Sequence, residues 1–198
     1  MTWNYVTPGI PDQQFARLPG IPLSPLEVRV LILSQLRLQA NSVLWDVGAG
    51  TGTIAVESGL LLKSGQVVAI ERDEEVVGLI ERNCQNFHVS NVTVKAGSAP
   101  QCLQDLTPLP DRICIEGGHD LKGIILTAWE KLADYGRIVA IGSSLQDLYQ
   151  ILQTWREIPI HNVEAVQSGI NRLETRGNQQ LFTATNPLFI LSGDKLPL

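Results

Sequence analysis

The sequence predicts an α/β fold in which helices cover a mostly parallel sheet. From residue 42 onward, short segments rich in β-branched residues alternate with amphipathic segments, which is typical of parallel strands joined by helices. Glycine, asparagine or proline marks the boundaries between these segments. The last quarter of the chain carries two β-type segments without a helix of similar length between them. These two segments indicate an antiparallel pair at the edge of the sheet.

The N-terminal part of the chain is predicted to be an arm over residues 1–23, followed by a single domain over 24–198. Five of the eleven prolines lie before residue 26, so the arm is extended or turning. Ser24, Pro25 and Glu27 have the spacing of a capping box with proline at the first helical position. This spacing predicts a first helix over 25–38, with Ser24 as its cap.

The remaining elements follow in order. Five predicted strands cover 42–47, 66–71, 92–95, 112–116 and 137–141. Five predicted helices cover 53–62, 73–87, 98–105, 120–133 and 144–156. The antiparallel pair is predicted at 161–167 and 180–191.

Composition excludes several classes of function. The chain has 198 residues, of which 44% are hydrophobic, and a net charge of −5. A chain of this size forms one domain, and its charge supplies no broad attraction for nucleic acid or for an anionic membrane.

The three cysteines are too few and too widely spaced for a disulfide framework or a zinc cluster, so we predict no metal site. We expect a cytoplasmic protein.

The glycine-rich segment after the first strand is the most informative part of the sequence. Gly48, Ala49, Gly50, Thr51 and Gly52 connect that strand to the next helix. In an open α/β sheet a nucleotide-like ligand binds at this edge, and glycine lets the backbone approach it closely. The third glycine comes one residue earlier than in the dinucleotide fingerprint GxGxxG, which argues against a dinucleotide.

Two acidic residues flank this loop. Glu71 ends the second strand, 19 residues after Gly52, where an acid accepts hydrogen bonds from both hydroxyls of a ribose. Asp46 lies two residues before Gly48 and would add negative charge beside the loop. This charge disfavours a pyrophosphate and favours a ligand that carries an ammonium and a sulfonium.

The segment from Asp46 to Gly52 resembles motif I of the class I S-adenosylmethionine-dependent methyltransferases. In that superfamily the position of Glu71 binds the ribose. Residues 97–100, Gly-Ser-Ala-Pro, resemble the loop that lies along the adenine, with Ser98 in place of the usual aspartate and Ala99 as the base contact. The resemblance implies a Rossmann-like three-layer sandwich with a mostly parallel seven-stranded sheet and an antiparallel edge. It also implies S-adenosylmethionine as the cofactor.

Segments outside motif I narrow the resemblance to one family. Residues 9–17, 22–29, 110–113, 136–139 and 186–187 are similar, in order, to the decarboxylating cobalt-precorrin-6B C15-methyltransferases of cobalamin biosynthesis. That family transfers a methyl group to C15 of a tetrapyrrole and releases the C12 acetate carboxylate as carbon dioxide. In a larger fused protein the same activity resembles the C-terminal half. The family also implies a homo-oligomer, namely a tetramer, and places the hydroxyl of Ser24 near the cofactor.

Side chains for the substrate are harder to assign from the sequence. Methyl transfer from a sulfonium depends mainly on placement and exclusion of water, so no catalytic residue is assigned. A substrate with many carboxylates requires arginine near the mouth of the site, and the best candidates are Arg17 in the arm and Arg172 and Arg176 in the predicted loop between the last two strands. The loop after the fourth strand, 116–120, departs from the Gly-Gly-Ser-Gly-Gly usual in relatives.

Two alternatives stay open at the level of the sequence. Motif I is equally typical of methyltransferases that act on tRNA adenine or on protein isoaspartate. The negative net charge of the chain argues against tRNA as the substrate. A dinucleotide-binding module without catalysis is the second alternative, and the short glycine spacing argues against it.

Overall fold

The computed structural model describes residues 2–197 and contains an α/β arrangement close to the predicted one. Within that range the helices are α1 (Leu26–Leu36), α2 (Thr53–Leu61), α3 (Glu74–Asn86), α4 (Leu121–Lys131) and α5 (Leu145–Trp155). The strands are β1 (Val43–Val47), β2 (Gln66–Glu71), β3 (Val92–Ala96), β4 (Arg112–Glu116), β5 (Arg137–Gly142), β6 (Ile160–Gln167), β7 (Asn171–Arg176), β8 (Gln179–Ala184) and β9 (Phe189–Lys195).

Seven strands form the main sheet in the order β3-β2-β1-β4-β5-β9-β6. The first five are parallel, whereas β9 runs antiparallel to both β5 and β6. The strand order reverses between β1 and β4, and ligands bind beside the carboxyl ends of the strands at such a point. The predicted fold class, a mostly parallel seven-stranded sheet with an antiparallel edge, is confirmed.

Helices cover both faces of this sheet, which gives three layers. Along β2, Val67 and Ala69 join the core that faces α1, α2 and α3, whereas Val68 and Ile70 join the core that faces α4 and α5. This alternation follows from the pleat of a strand, which points successive side chains to opposite faces. Because both faces are buried, the central strands are nearly continuous apolar runs, which Asp46 interrupts in β1.

One predicted helix is wrong. The segment 98–105 contains only a 3-10 turn at Gln101–Leu103. Pro100, Pro108 and Pro110 remove backbone donors from this region. Leu103 is fully buried in the core below α4, and Ala99 and Cys102 pack against the same core.

The predicted antiparallel pair in the tail is also partly wrong. β6 does pair with an antiparallel neighbour, but that neighbour is β9, because Ile190 and Leu191 are the tail residues that enter the core. Residues 171–184 instead fold back on themselves at Gly177, whose φ is +62°, and form the separate hairpin β7-β8. Arg172 and Arg176 therefore lie on a strand of this hairpin and not in a loop.

The N-terminal arm packs against the helices. Ile10 and Phe15 are buried in the same core as α1 and α2, and a 3-10 turn spans Asp12–Gln14. The division into an arm over 1–23 and a domain over 24–198 stays a prediction.

Candidate functional site

The glycine loop occupies the end of β1, where it touches the neighbouring strand. Gly48 has a φ of +78° and donates its N–H to the carbonyl of Ile70 at 3.0 Å. A Cβ at this position would lie 2.6 Å from the backbone oxygen of Glu116. Glycine is required here for two separate reasons, the left-handed backbone and the close approach to β4.

Glu71 is held against this loop. Its Oε2 accepts the N–H of Gly50 at 3.1 Å, and its Oε1 accepts the N–H groups of Arg72 and Asp73 at 2.8 and 3.2 Å. Backbone donors from two segments thus fix the carboxylate at the tip of β2. A carboxylate can accept about four hydrogen bonds, so capacity remains for a ligand.

A first cavity, cavity 1, opens at the carboxyl edge between β2 and β4, with a volume of about 450 Å³. Small-molecule sites typically occupy about 300–1,000 Å³. The walls of cavity 1 include the glycine loop, the tip of β2 and the loop after β3. Among the lining residues are Gly48, Gly50, Glu71, Ser98, Ala99 and His119.

The remaining residues of the glycine loop mainly support its shape. Thr51 donates its hydroxyl to the carbonyl of Pro22 at 3.0 Å, and Asn83 donates to the carbonyl of Thr51 at 2.9 Å. Gly52 starts α2 with a φ of +78°, and a Cβ there would lie 2.8 Å from Ile80. Of the five predicted loop residues, Gly48 and Gly50 line cavity 1, Ala49 and Thr51 line the second cavity described below, and Gly52 serves close packing.

Asp46 lies beneath the loop and is fully buried. Within the described residues neither of its carboxylate oxygens has a hydrogen-bond partner. Burial, together with the negative charges of Glu116 and Glu71, raises the pKa of Asp46 well above its ordinary value, and the backbone N–H of Ala55, which is too poorly placed for a regular hydrogen bond, only partly opposes this. Asp46 is therefore not the exposed charge beside the loop that the sequence suggested, because it sits under the sheet edge and lines neither cavity.

A second cavity, cavity 2, lies on the other side of the glycine loop, with a volume of about 580 Å³. Its walls come from the end of the arm, the start of α5 and the segment before β9. It shares a set of lining residues with cavity 1, namely Pro22, Gly48, Gly50, Glu116 and Gly117. The two cavities therefore meet at the glycine loop and the tip of β4.

Ser24 joins the arm to this meeting point. Its hydroxyl donates to Oε1 of Glu116 at 2.5 Å, so it does not cap α1, and the predicted capping box is wrong. The second member of that box, Glu27, is paired with Arg172 instead. The helix begins without a side-chain cap because the serine hydroxyl is used across the site. Ser24 lines cavity 2.

Arg29 clamps the arm onto the domain. Its side chain is fully buried, and it donates to Glu57 at 2.7 Å, to Asp12 at 2.6 Å and to the carbonyl of Ser24 at 2.6 Å. A further hydrogen bond reaches the carbonyl of Ile10. Glu57 in turn accepts the N–H of Gly9 at 2.6 Å and that of Ile10 at 3.3 Å. This buried network fixes the arm whose end, at Pro22 and Ser24, borders both cavities.

The three predicted substrate arginines occupy different settings. Arg17 is exposed on the arm. Arg172 is held by Glu27 at 2.5 Å and by Asp12 at 2.9 Å, so its charge is used to tie β7 to the arm. Arg176 is exposed and paired with Glu174 at 2.8 Å. None of the three is among the described residues that line the two cavities.

Sequence reasoning missed the importance of Glu116 and Arg29. A sequence signal for Glu116 does exist, since it is an acid at the carboxyl end of a buried parallel strand, where ligands bind. No such signal marks Arg29, because an arginine in a helix is usually exposed. At the next helix, Asp120 accepts the N–H of Gly123 at 2.9 Å and caps α4, which leaves His119 facing cavity 1.

No cluster of metal-binding side chains occurs in residues 2–197. In the same part of the chain no helix combines the length and the apolar character needed to cross a membrane. The three cysteines are free.

Comparison with known proteins gives consistent results. Residues 21–195 match a family described as the precorrin methyltransferase domain. A probable cobalt-precorrin-6B C(15)-methyltransferase (decarboxylating) of Saccharolobus solfataricus is 38% identical, over 98% of this chain and 100% of that protein. The cobalt-precorrin-6B C(15)-methyltransferase (decarboxylating) of Salmonella typhimurium is 33% identical, over 93% and 95%. The crystal structure of precorrin-6Y C5,15-methyltransferase from Geobacter metallireducens has a TM-score of 0.89 and 32% identity, over 96% of this chain and 100% of that one.

Proposed function

The chain belongs to the precorrin methyltransferase family, and from this premise we propose that it methylates C15 of a cobalt-precorrin-6B type tetrapyrrole and decarboxylates the C12 acetate. The relatives of nearly equal length carry names that state this reaction. One structural observation supports the proposal most directly. Two cavities of small-molecule size meet at a glycine loop, as a transfer between two bound molecules requires.

We infer that cavity 1 binds S-adenosylmethionine. The proposed contacts are Glu71 for the ribose, Ala99 for the base, and Gly48 and Gly50 for the close approach of the backbone. Asp46 lines neither cavity, so we propose that it acts on the cationic ligand from beneath the loop through its charge and not by contact. When bound, S-adenosylmethionine supplies an electrophilic methyl group on sulfonium. Ala49, Thr51 and Gly52 support the loop, and Ser24 approaches from the arm.

Cavity 2 is the proposed site of the tetrapyrrole. Among its described lining residues there is no lysine or arginine, and two acids, Glu116 and Asp147, are present. The substrate carboxylates would therefore point outward, and we propose Arg17 as the arm residue that meets them. Arg172 and Arg176 would act only through the hairpin that they stabilise. A tetrameric assembly and a cytoplasmic location remain predictions.

Binding of S-adenosylhomocysteine tests the cofactor site. Replacing Glu71 by Ala removes the ribose acceptor and the anchor of Gly50, so calorimetry should show affinity reduced at least about tenfold, equal to about 1.4 kcal/mol. Gly50→Trp should abolish binding. Glu81→Ala, an exposed acid on α3, is the matched control and should bind like the wild type. Unchanged affinity in both site variants would contradict the assignment of cavity 1.

Turnover tests the reaction. Cobalt-precorrin-6B or its cobalt-free form, supplied with S-adenosylmethionine, should yield one carbon dioxide per methyl group transferred. Carbon dioxide can be measured by isotope release and the product by mass spectrometry. Methylation of tRNA or of isoaspartyl peptide at a comparable rate, with no turnover of either corrin precursor, would overturn the proposed substrate.

A further inference from the structure

Glu116 occupies a position that the proposed function does not by itself explain. It is the last residue of β4 and lines both cavities. Within the described residues its carboxylate receives one hydrogen bond, from the hydroxyl of Ser24 at 2.5 Å. Arg29, the buried cation whose charge acts on Glu116, directs its own hydrogen bonds to Glu57, to Asp12 and to two backbone carbonyls.

The surroundings of Glu116 favour a carboxyl that can hold a proton. Burial raises its pKa above the ordinary value, and the Ser24 hydrogen bond and the charge of Arg29 only partly oppose this. Asp46 lies behind it on β1, where the two acids repel each other electrostatically. Glu71 at the end of β2 and His119 in the loop after β4 line cavity 1, which Glu116 also lines.

The other acid in cavity 2 is differently occupied. Oδ2 of Asp147 accepts the N–H and hydroxyl of Ser143 and the N–H of Ser144, all within 3.1 Å. Although burial raises the pKa of Asp147, these hydrogen bonds, together with that of the Ser144 hydroxyl, lower it overall. Asp147 is thus an anion that holds the start of α5. Glu116 is left as the acid of cavity 2 suited to exchange a proton.

The reaction requires such a proton movement at two carbons. When the C15–methyl bond forms, C15 must lose its hydrogen as a proton, and the electron pair returns to the conjugated ring. When carbon dioxide leaves the C12 acetate, the electron pair of the broken carbon–carbon bond stays on the substrate, and the remaining methylene must gain a proton to become a methyl group. One proton is released and one is consumed, so no external reagent is needed.

We propose that Glu116 carries this proton: its carboxylate takes up the proton lost at C15, and its carboxylic acid protonates the methylene left at C12. The inference rests on the proposed function. It follows from the place of Glu116 on the wall common to both cavities and from the single hydrogen bond that its carboxylate receives within the described residues. Ser24 is then a positioning residue, which orients the carboxyl through that hydrogen bond.

The test uses Glu116→Gln, which keeps shape and hydrogen bonding but cannot transfer a proton. Single-turnover formation of the decarboxylated product should fall at least about 100-fold, the usual contribution of general acid–base catalysis. Affinity for S-adenosylhomocysteine should stay within about twofold. Glu116→Asp should recover part of the rate. Glu130→Gln, the same change at an exposed site on α4, should leave both quantities unchanged.

Isotope transfer separates proton relay from a merely structural role. With substrate deuterated at C15, single turnover by the wild type should place deuterium in the new C12 methyl group, and the residual product of Glu116→Gln should contain none. Loss of the label in the wild type would overturn the relay. A tenfold loss of S-adenosylhomocysteine affinity in Glu116→Gln would instead assign Glu116 to the cofactor.

The failure of the proposed function has a different signature. In that case the wild type itself would release no carbon dioxide from either corrin precursor while still binding S-adenosylhomocysteine. If the wild type is active and Glu116→Gln retains more than a third of its rate, the proposed function stands and the role of Glu116 is refuted.

Discussion

The two cavities of this protein are built by different means. Cavity 1 consists mainly of backbone and short side chains at the tips of neighbouring parallel strands, with Glu71 held by three N–H groups. Cavity 2 depends on an arm, a helix start and a tail segment that are far apart in the sequence, and ion pairs tie the arm to α1 and β7 and tie α1 to α2. The strand-end part of cavity 1 is therefore encoded by local sequence signals, although Ile21 and Pro22 of the arm also line it, whereas cavity 2 depends mainly on long-range contacts.

The largest expected effect on stability comes from the buried ion pairs of Arg29, which hold the arm beside cavity 2. Arg29→Ala would leave the buried carboxylates of Glu57 and Asp12 without their main partner. Breaking a buried pair from one side costs about 3–5 kcal/mol, so urea unfolding should show a loss of this size. Arg37→Ala removes an exposed pair with Glu164 and should cost less than about 1 kcal/mol.

The same variant also tests whether the cavities are independent. In conditions where Arg29→Ala is folded, turnover should fall more than the affinity for S-adenosylhomocysteine, because Glu71 does not depend on the arm. An equal loss of both would mean that the arm supports the two cavities alike, and the contrast between them would be wrong.

The glycine loop gives the second largest effect. Gly48→Ala forces a side chain into a left-handed backbone and against Glu116, which should cost about 1–3 kcal/mol of stability in addition to cofactor affinity. Thermal and urea unfolding measure the first quantity and calorimetry the second. Gly78→Ala, on an exposed turn of α3 with open space around it, should instead stabilise the protein by up to about 1 kcal/mol. Equal behaviour of the two variants would contradict the close approach.

The smallest effect on stability is expected for the ion pairs that connect Arg172 on β7 to the arm and to α1. Arg172→Ala removes the partially exposed pairs with Glu27 and Asp12 and should cost about 1 kcal/mol at pH 7. Turnover should decline modestly as the hairpin loosens beside cavity 2. No change in the free energy of unfolding would show that these pairs contribute nothing to stability.

The stability that the Arg172 ion pairs contribute depends on pH, and the pKa shifts of their acids give the sign of that dependence. The hydrogen bond from Arg172 lowers the pKa of Glu27 below its ordinary 4.5. Burial raises the pKa of Asp12, but Arg29 and Arg172 lower it overall below 3.8. Groups whose pKa is lowered on folding stabilise the protein above about pH 4.5, and this contribution is lost as the pH falls through the folded values. The stability difference between wild type and Arg172→Ala should therefore shrink below about pH 4.5.

Much of the sheet was predictable because its signals are local. β2 and β4 have their predicted bounds, and β1, β3 and β5 differ by one residue at one end. β8 lies largely within the predicted strand over 180–191, but β7 was missed because it is mostly exposed and polar, as at Arg172 and Glu174, and carries little periodic signal. The helix at 98–105 was overpredicted because Pro100 lies inside the segment, and the chain forms only a short 3-10 turn after it.

The sequence by itself determined the parallel sheet, the glycine loop at its switch point and the acid at the tip of the second strand, since each follows from short-range pattern and backbone geometry. Only the tertiary structure decided how Ser24, Arg29 and Glu116 are used. A hydroxyl that is spaced to cap its own helix instead bonds an acid 92 residues away, and a helical arginine becomes the buried clamp of the arm. The physical reason is that buried hydrogen bonds and ion pairs form between groups that the fold brings together. Local sequence patterns do not indicate which distant groups these are.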